Sequence, residues 1–183
     1  STMMRDADTG ELMVWGEDMA NNGVSDILSP IEVNNTNYPA LTGDILKFTA
    51  GSLNITRNQK VVLTTDGLFA WGGQGYLIST DITSSTTFQK VSIGTYGVNG
   101  GTPKADGLPD GVAPADVKML FGSYRTLALT TCTGEAWVLA QSNSFYGDNT
   151  PDNTTNDQLW HRVHIDATTT LNNVVAIRGN GDH

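Results

Sequence analysis

Apolar residues run along this chain in short stretches broken by Gly, Asn, Asp and Pro. Residues 61–73, "VVLTTDGLFAWGG", are representative, with an apolar run, a tight turn, a second apolar run and a Trp-Gly stop. The Asp66-Gly67 pair suits the positive φ angles of a hairpin turn. No stretch sustains the spacing of an amphipathic helix; "PADVKMLF" at 114–121 would make one or two helical turns at most. The pattern predicts β-strands joined by turns throughout.

The same pattern recurs three times. The hairpin appears as "DTGELMVWG" at 8–16, "TDGLFAWGG" at 65–73 and "CTGEAWVLA" at 132–140. Its turn glycines are Gly10, Gly67 and Gly134, followed by Trp15, Trp71 and Trp137. A second element, "ILKFTAGS" at 45–52, "VKMLFGS" at 117–123 and "VVAIRGN" at 174–180, carries Gly51, Gly122 and Gly179. A third, "SPIEV", "TFQKV" and "LWHRV", ends in Val33, Val91 and Val163. Three elements in one order, three times, divide the chain into units of roughly 1–51, 52–122 and 123–183. Each unit holds about four strand-sized pieces, the count of one β-propeller blade. A single blade leaves both faces bare, whereas stacked blades cover one another. The expected fold is all-β, about three propeller blades, forming part of a ring or a ring completed by another chain.

Composition sharpens the picture. Lys and Arg number 10 against 19 Asp and Glu, for a net charge of −9. That balance argues against nucleic acid and anionic membranes, which need a basic face. No apolar run approaches the roughly 20 residues that span a bilayer, so membrane insertion is not expected. Cys132 is the sole cysteine, so no internal disulfide forms. Polarity comes chiefly from Thr, Asn, Ser and Gly, a composition suited to an extracellular β-protein. "STMMRDADTG" has neither a basic start nor an apolar stretch, so an export signal is expected on a longer parent chain.

The ordered pieces "SPIEV", "ILKFTAGS", "VVLTTDGLFAWG" and "GSYRTLALTTCTGEAWV" resemble the regulator of chromosome condensation family of β-propellers. The third copy departs from the pattern: Trp137 is followed by Val138 rather than glycine, and Cys132-Thr133 interrupts the usual Asp-Gly. The family's His-Ser after the glycine survives only across the termini, as His183 and Ser1. The resemblance implies a propeller of usually seven blades that mostly binds proteins, with roles from nucleotide exchange to enzyme inhibition, photoreception and surface display. The acidic, Thr/Asn/Gly-rich composition is similar to that of adhesin-like bacterial surface proteins of the Bacteroidetes type. Joined, "IRGNGDH" and "STMMRDADTG" would restore the interrupted repeat. Further blades are therefore expected, either from a longer chain or from copies associating head to tail at the interrupted blade.

Candidate chemistry is sparse. His161 and His164, three apart on a strand, point to opposite faces and do not converge on a metal. Asp6, Asp8 and Glu11 lie in a hairpin turn rather than a calcium loop. The segment 147–157 carries Asp148, Asn149, Asp152, Asn153 and Asp157, and reads as a solvated loop in preference to an ion site. Cys132 has no visible base, and "GTYGVNGGTP" lacks the Lys-Ser/Thr of a phosphate loop. The triplets at Asn34, Asn54 and Asn153 fit glycan acceptors but arise readily in an Asn/Thr-rich chain. No cofactor is expected. Trp15, Trp71 and Trp137 are expected to pack between blades, and Trp160 to share an apolar site with Pro30 and Phe88.

The long insertion at 94–116 exceeds ordinary loop length and is expected to be functional or mobile. Tyr96, Phe145 and Tyr146 on the two long connections are the candidate binding residues; the alternative is that they pin their own loops to the face. The expected function is a non-enzymatic, secreted or cell-surface module binding a protein or glycan. Two rivals are a regulatory propeller that inhibits an enzyme or promotes nucleotide exchange, and a glycan-processing enzyme using Asp106 and Asp110.

Overall fold

The computed structural model describes residues 2–17, 26–54, 57–72, 77–78, 87–123, 125–141, 145–150 and 157–179. Ser1, Asp152, Asn153 and His183, and so the join between the termini, lie outside them.

The described residues are all-β, with short 3-10 turns at Asn99–Gly101 and Pro114–Asp116 as their helical pieces. Pro114 opens the second turn, but only one turn forms before the chain extends into a strand. Three sheets follow one another along the sequence. The first is β1 (Thr2–Arg5), β2 (Leu12–Glu17) and β3 (Asp26–Glu32). The second is β4 (Ile45–Asn54), β5 (Arg57–Thr64), β6 (Gly67–Gly72) and β7 (Gln89–Lys90). β8 (Gly94–Thr95) leaves it to join the third sheet, where β9 (Val117–Gly122), β10 (Thr126–Thr131), β11 (Ala136–Ala140) and β12 (Leu159–Arg162) lie in order. Every pairing is antiparallel except β8 with β12.

Each repeated motif occupies a corresponding place. Gly10, Gly67 and Gly134 have φ of +75°, +123° and +83° and close the hairpins leading into β2, β6 and β11. Glycine is favoured there because a Cβ resists positive φ. The second motif supplies the first strands of the second and third sheets, β4 and β9. The sheets are thus cut one strand earlier than the units 1–51, 52–122 and 123–183. Its third copy, 174–179, forms no strand.

Gly51 and Gly122 mark where β4 and β9 approach one another. A Cβ on Gly51 would fall 2.1 Å from the Ser123 carbonyl oxygen, and one on Gly122 3.1 Å from that of Ala50. The Gly122 N–H also donates to Thr49 Oγ1 at 2.7 Å.

The second sheet is packed on both faces. Val61 and Leu63 join a core shared with Leu127, Leu129 and Trp160 of the third sheet. Val62, between them, joins another with Leu12 and Val14 of the first. Period-two alternation sends successive side chains to opposite sheets, so a strand covered on both faces reads as a continuous apolar run. That is the physical origin of "VVL". In the first sheet, among the described residues, the two faces are covered unequally: Leu12 and Val14 are buried, Met13 and Trp15 only partly. Trp71, Trp137 and Trp160 are buried, as is Phe88, while Pro30 is exposed.

Candidate binding site

Two of the three candidate aromatics meet over the third sheet. β8 runs parallel to β12, with Gly94 opposite Leu159 and Thr95 opposite Trp160. Glycine at 94 is required by the close approach of its own loop, because a Cβ there would lie 2.0 Å from the Gly101 carbonyl oxygen. The Tyr96 N–H then donates to the Trp160 carbonyl at 2.9 Å, which fixes the tyrosine beside His161.

The His161 imidazole stacks on Tyr96 with centroids 4.6 Å apart and planes 18° from parallel. It stacks on Tyr146 at 4.1 Å and 12°. Two rings at such separations do not fit on one face of an imidazole, so His161 is held between them. It is fully buried, and its Nδ1 lies 2.6 Å from Asp148 Oδ2. Burial pushes the Asp148 pKa up, but hydrogen bonds from Thr150 and His161 outweigh it and hold the carboxyl below its ordinary value. The Thr150 N–H donates to Asp148 Oδ1 at 2.9 Å. The Tyr146 hydroxyl donates to Asp157 Oδ1 at 2.6 Å, and the His164 N–H to the Gly147 carbonyl at 2.7 Å. Asp148 and Asp157 of the acidic segment therefore serve neighbouring side chains. Among the described residues no three His, Cys, Asp or Glu side chains gather as a metal site would need.

Tyr146 departs from the expected role. It is 1% exposed and pins its own loop, since a stacked ring and a paired hydroxyl hold both its apolar body and its polar tip. Phe145, its neighbour, is 83% exposed, and Tyr96 retains 41%. The surface left to a partner is thus Phe145 and the open part of Tyr96, each standing on the braced stack.

The insertion at 94–116 is a structural wedge, not a loose loop. Leu108 and Val112 are buried in the core between the second and third sheets. Lys104 Nζ donates to the Pro109 and Val112 carbonyls at 3.3 and 2.7 Å and pairs with Asp106 at 3.0 Å. Asp106 Oδ1 accepts the Leu108 N–H at 3.0 Å, and the Asp110 N–H donates to Thr95 Oγ1 at 2.8 Å. The Asp106 carboxylate is thereby occupied in holding its own loop.

Sequence reasoning missed the His161–Asp148 pair; "WHRVH" at 160–164 following an Asp-rich segment was its only signal. It also missed a cleft of about 350 Å3 lined by Arg5, Glu11, Glu32, Asn34, Leu41 and Asp44, where the first sheet meets the second. Arg5 spans that seam, donating to the Gly10 and Ile45 carbonyls at 3.0 and 3.1 Å.

No protein-family model matches the chain, and no curated protein matches it. Among solved structures it is similar to human WBSCR16, an RCC1-like protein, with a TM-score of 0.50 and 17% identity. The match covers 87% of this chain and 34% of the other. The likeness is one of fold, compatible with a β-propeller.

Proposed function

We propose that the three sheets are successive blades of a β-propeller of the regulator of chromosome condensation type, a non-enzymatic module, secreted or at the cell surface, that binds a protein or glycan. The observation that carries the binding role is Phe145, a large apolar side chain 83% exposed at the edge of a loop braced by the stack of Tyr96, His161 and Tyr146. An exposed aromatic on a pre-ordered support loses little entropy on contact and suits an anchor. The surface placement, and its bacterial adhesin character, are supported by acidic composition and by polarity drawn from Thr, Asn, Ser and Gly. The structural likeness to WBSCR16 supports the propeller reading.

Screening the chain against arrays of glycans and of extracellular protein domains tests this. Phe145→Ala is expected to weaken the ligand found by about tenfold or more, the loss typical of an anchor, without shifting the melting temperature. A ligand held equally well by Phe145→Ala and Tyr96→Ala would move the site elsewhere. Hydrolysis of an array glycan, lost on replacing Asp110, would replace the reading with the enzymatic one.

A further inference from the structure

We propose that Asn99 is a modification site: the Gly100 backbone nitrogen attacks its side-chain amide, and hydrolysis leaves aspartate or isoaspartate in the turn that follows Tyr96. The inference is independent of what Phe145 binds.

The sequence supplies the reacting pair. Asn-Gly occurs at 22–23, 99–100 and 180–181, and the first and last of these lie outside the described residues. The asparagine amide is thermolabile, and a glycine next in the chain has no Cβ to shield its nitrogen. Whether such a pair reacts depends on what the fold leaves free.

At 99–100 the fold leaves both groups free. Asn99 and Gly100 are exposed, and a Cβ placed on Gly100 would meet nothing within 4 Å. The turn is held by other atoms. The Val98 N–H donates to the Thr95 carbonyl at 3.2 Å and the Gly101 N–H to the Val98 carbonyl at 2.8 Å. The Thr102 N–H and Oγ1 donate to the Asn99 carbonyl at 3.3 and 2.7 Å. None of these bonds engages the Asn99 side chain or the Gly100 N–H, and neither group has a partner elsewhere among the described residues. Asn99, Gly100 and Gly101 have φ of +48°, +65° and +74°. That left-handed run is why asparagine and glycine stand here, since they accept it more readily than other residues.

The Asp106-Gly107 pair in the same insertion shows the closed alternative. Asp106 Oδ1 accepts the Leu108 N–H at 3.0 Å, and its Oδ2 pairs with Lys104 at 3.0 Å. The Gly107 N–H donates to the Lys104 carbonyl at 3.0 Å, and a Cβ on Gly107 would lie 2.9 Å from the Val91 carbonyl oxygen. Acid and nucleophile are both occupied there.

The reaction balances without an oxidant or reductant. Solvent base draws the proton from the Gly100 nitrogen, which bonds to Asn99 Cγ, while the side-chain nitrogen takes up a proton and leaves as ammonia. Water then opens the cyclic imide. Breaking the new bond gives aspartate; breaking the original peptide bond gives isoaspartate, with a methylene added to the main chain. Either product gains a negative charge. The change falls on the turn whose Gly101 carbonyl rests against Gly94, where β8 begins.

The test incubates the 183-residue chain in mildly alkaline buffer at physiological temperature. Trypsin releases residues 91–104, in which Asn99 is the sole side-chain amide and no Asp or Glu occurs. That peptide is expected to gain an acidic group and to accept methyl groups from an isoaspartyl methyltransferase. Gly100→Ala is expected to slow the conversion about tenfold by raising the barrier to attack. Asn99→Asp places an aspartate before glycine at 99 as at Asp106, and isoaspartate is expected to accumulate there about tenfold faster than at Asp106. A 91–104 peptide that stays unconverted overturns the inference. So does a Gly100→Ala chain that converts as fast as wild type, or equal isoaspartate at position 99 and Asp106 in the Asn99→Asp chain.

Discussion

Trp160 and Gly107 stand 53 positions apart, yet the indole Nε1–H donates to the glycine carbonyl at 2.7 Å in the buried interior. This bond joins β12 to the wedge at 94–116, and Asp106 in the same wedge accepts the Leu68 N–H of β6 at 2.9 Å. The insertion therefore ties the second sheet to the third. Trp160→Phe removes the donor, strands a buried carbonyl and leaves a gap. The expected cost is about 2–4 kcal/mol, read as a lower urea midpoint at unchanged slope. A midpoint within experimental scatter of wild type would show that the wedge does not depend on this bond.

Gln59 performs a strand's task with a side chain. Fully buried in β5, its Oε1 accepts the Leu77 and Ile78 N–H groups at 3.0 and 2.6 Å, and its Nε2 donates to the Ile78 carbonyl at 2.8 Å. Gln59→Leu keeps the volume but deprives three backbone groups of their partners. The expected loss is about 3 kcal/mol or more, above that of Val62→Ala in the same strand. Should Gln59→Leu prove the milder of the two in denaturant melts, the side chain is not what holds residues 77–78.

Strand positions were legible where a local rule governs them. Positive φ demands glycine at Gly10, Gly67 and Gly134, so the hairpins carry their own signature. The continuous apolar run at Val61–Leu63 announced a strand buried on both faces. "VVAIRGN" announced a strand as well, but a strand exists only when another edge pairs with it, and residues 174–179 have none within the described chain. The wedge was illegible for a related reason. Its Gly and Pro content is that of a loop, and only the distant donor on Trp160 and the neighbouring core give Leu108 and Val112 a place to bury. Tyr146 and Phe145 look alike in sequence; only the position of His161 on β12 decides which one turns inward.

Two of the repeat's glycines should behave differently on replacement by alanine. Gly10 sits at φ +75° with open space around its Cβ position, so Gly10→Ala meets only the left-handed backbone penalty, about 1–2 kcal/mol. Gly51 takes no such φ, but its Cβ would land 2.1 Å from the Ser123 carbonyl oxygen and 2.7 Å from Leu77. Gly51→Ala must push β4 away from β9, at a cost of about 3 kcal/mol or more for a backbone that cannot yield cheaply. Thermal melts of both variants rank them; a Gly51→Ala chain as stable as Gly10→Ala would show that the two sheets are not in close contact there.

Acid should loosen the brace beneath Phe145. Asp148, Asp6 and Asp166 all have folded pKa values below the ordinary carboxylate value. Burial opposes this at Asp148, but hydrogen bonds from Thr150 and His161 prevail; at the exposed Asp6 and Asp166 the lowering comes from hydrogen bonds of Thr9 and Asp8, and of Thr168 and Thr169. A depressed folded pKa means that the unfolded chain takes up protons first. The stabilisation is therefore complete above the unfolded value, about 3.9, and disappears as pH falls through the folded values. Asp148→Asn removes the charge that His161 meets at 2.6 Å while keeping the shape. At neutral pH it is expected to be less stable than wild type, and below about pH 4 the difference should shrink as wild type protonates the same carboxyl. Chemical melts of both proteins from neutral pH into acid measure it. A difference that stays constant down to the acid limit would mean that Asp148 acts through its shape and not its charge.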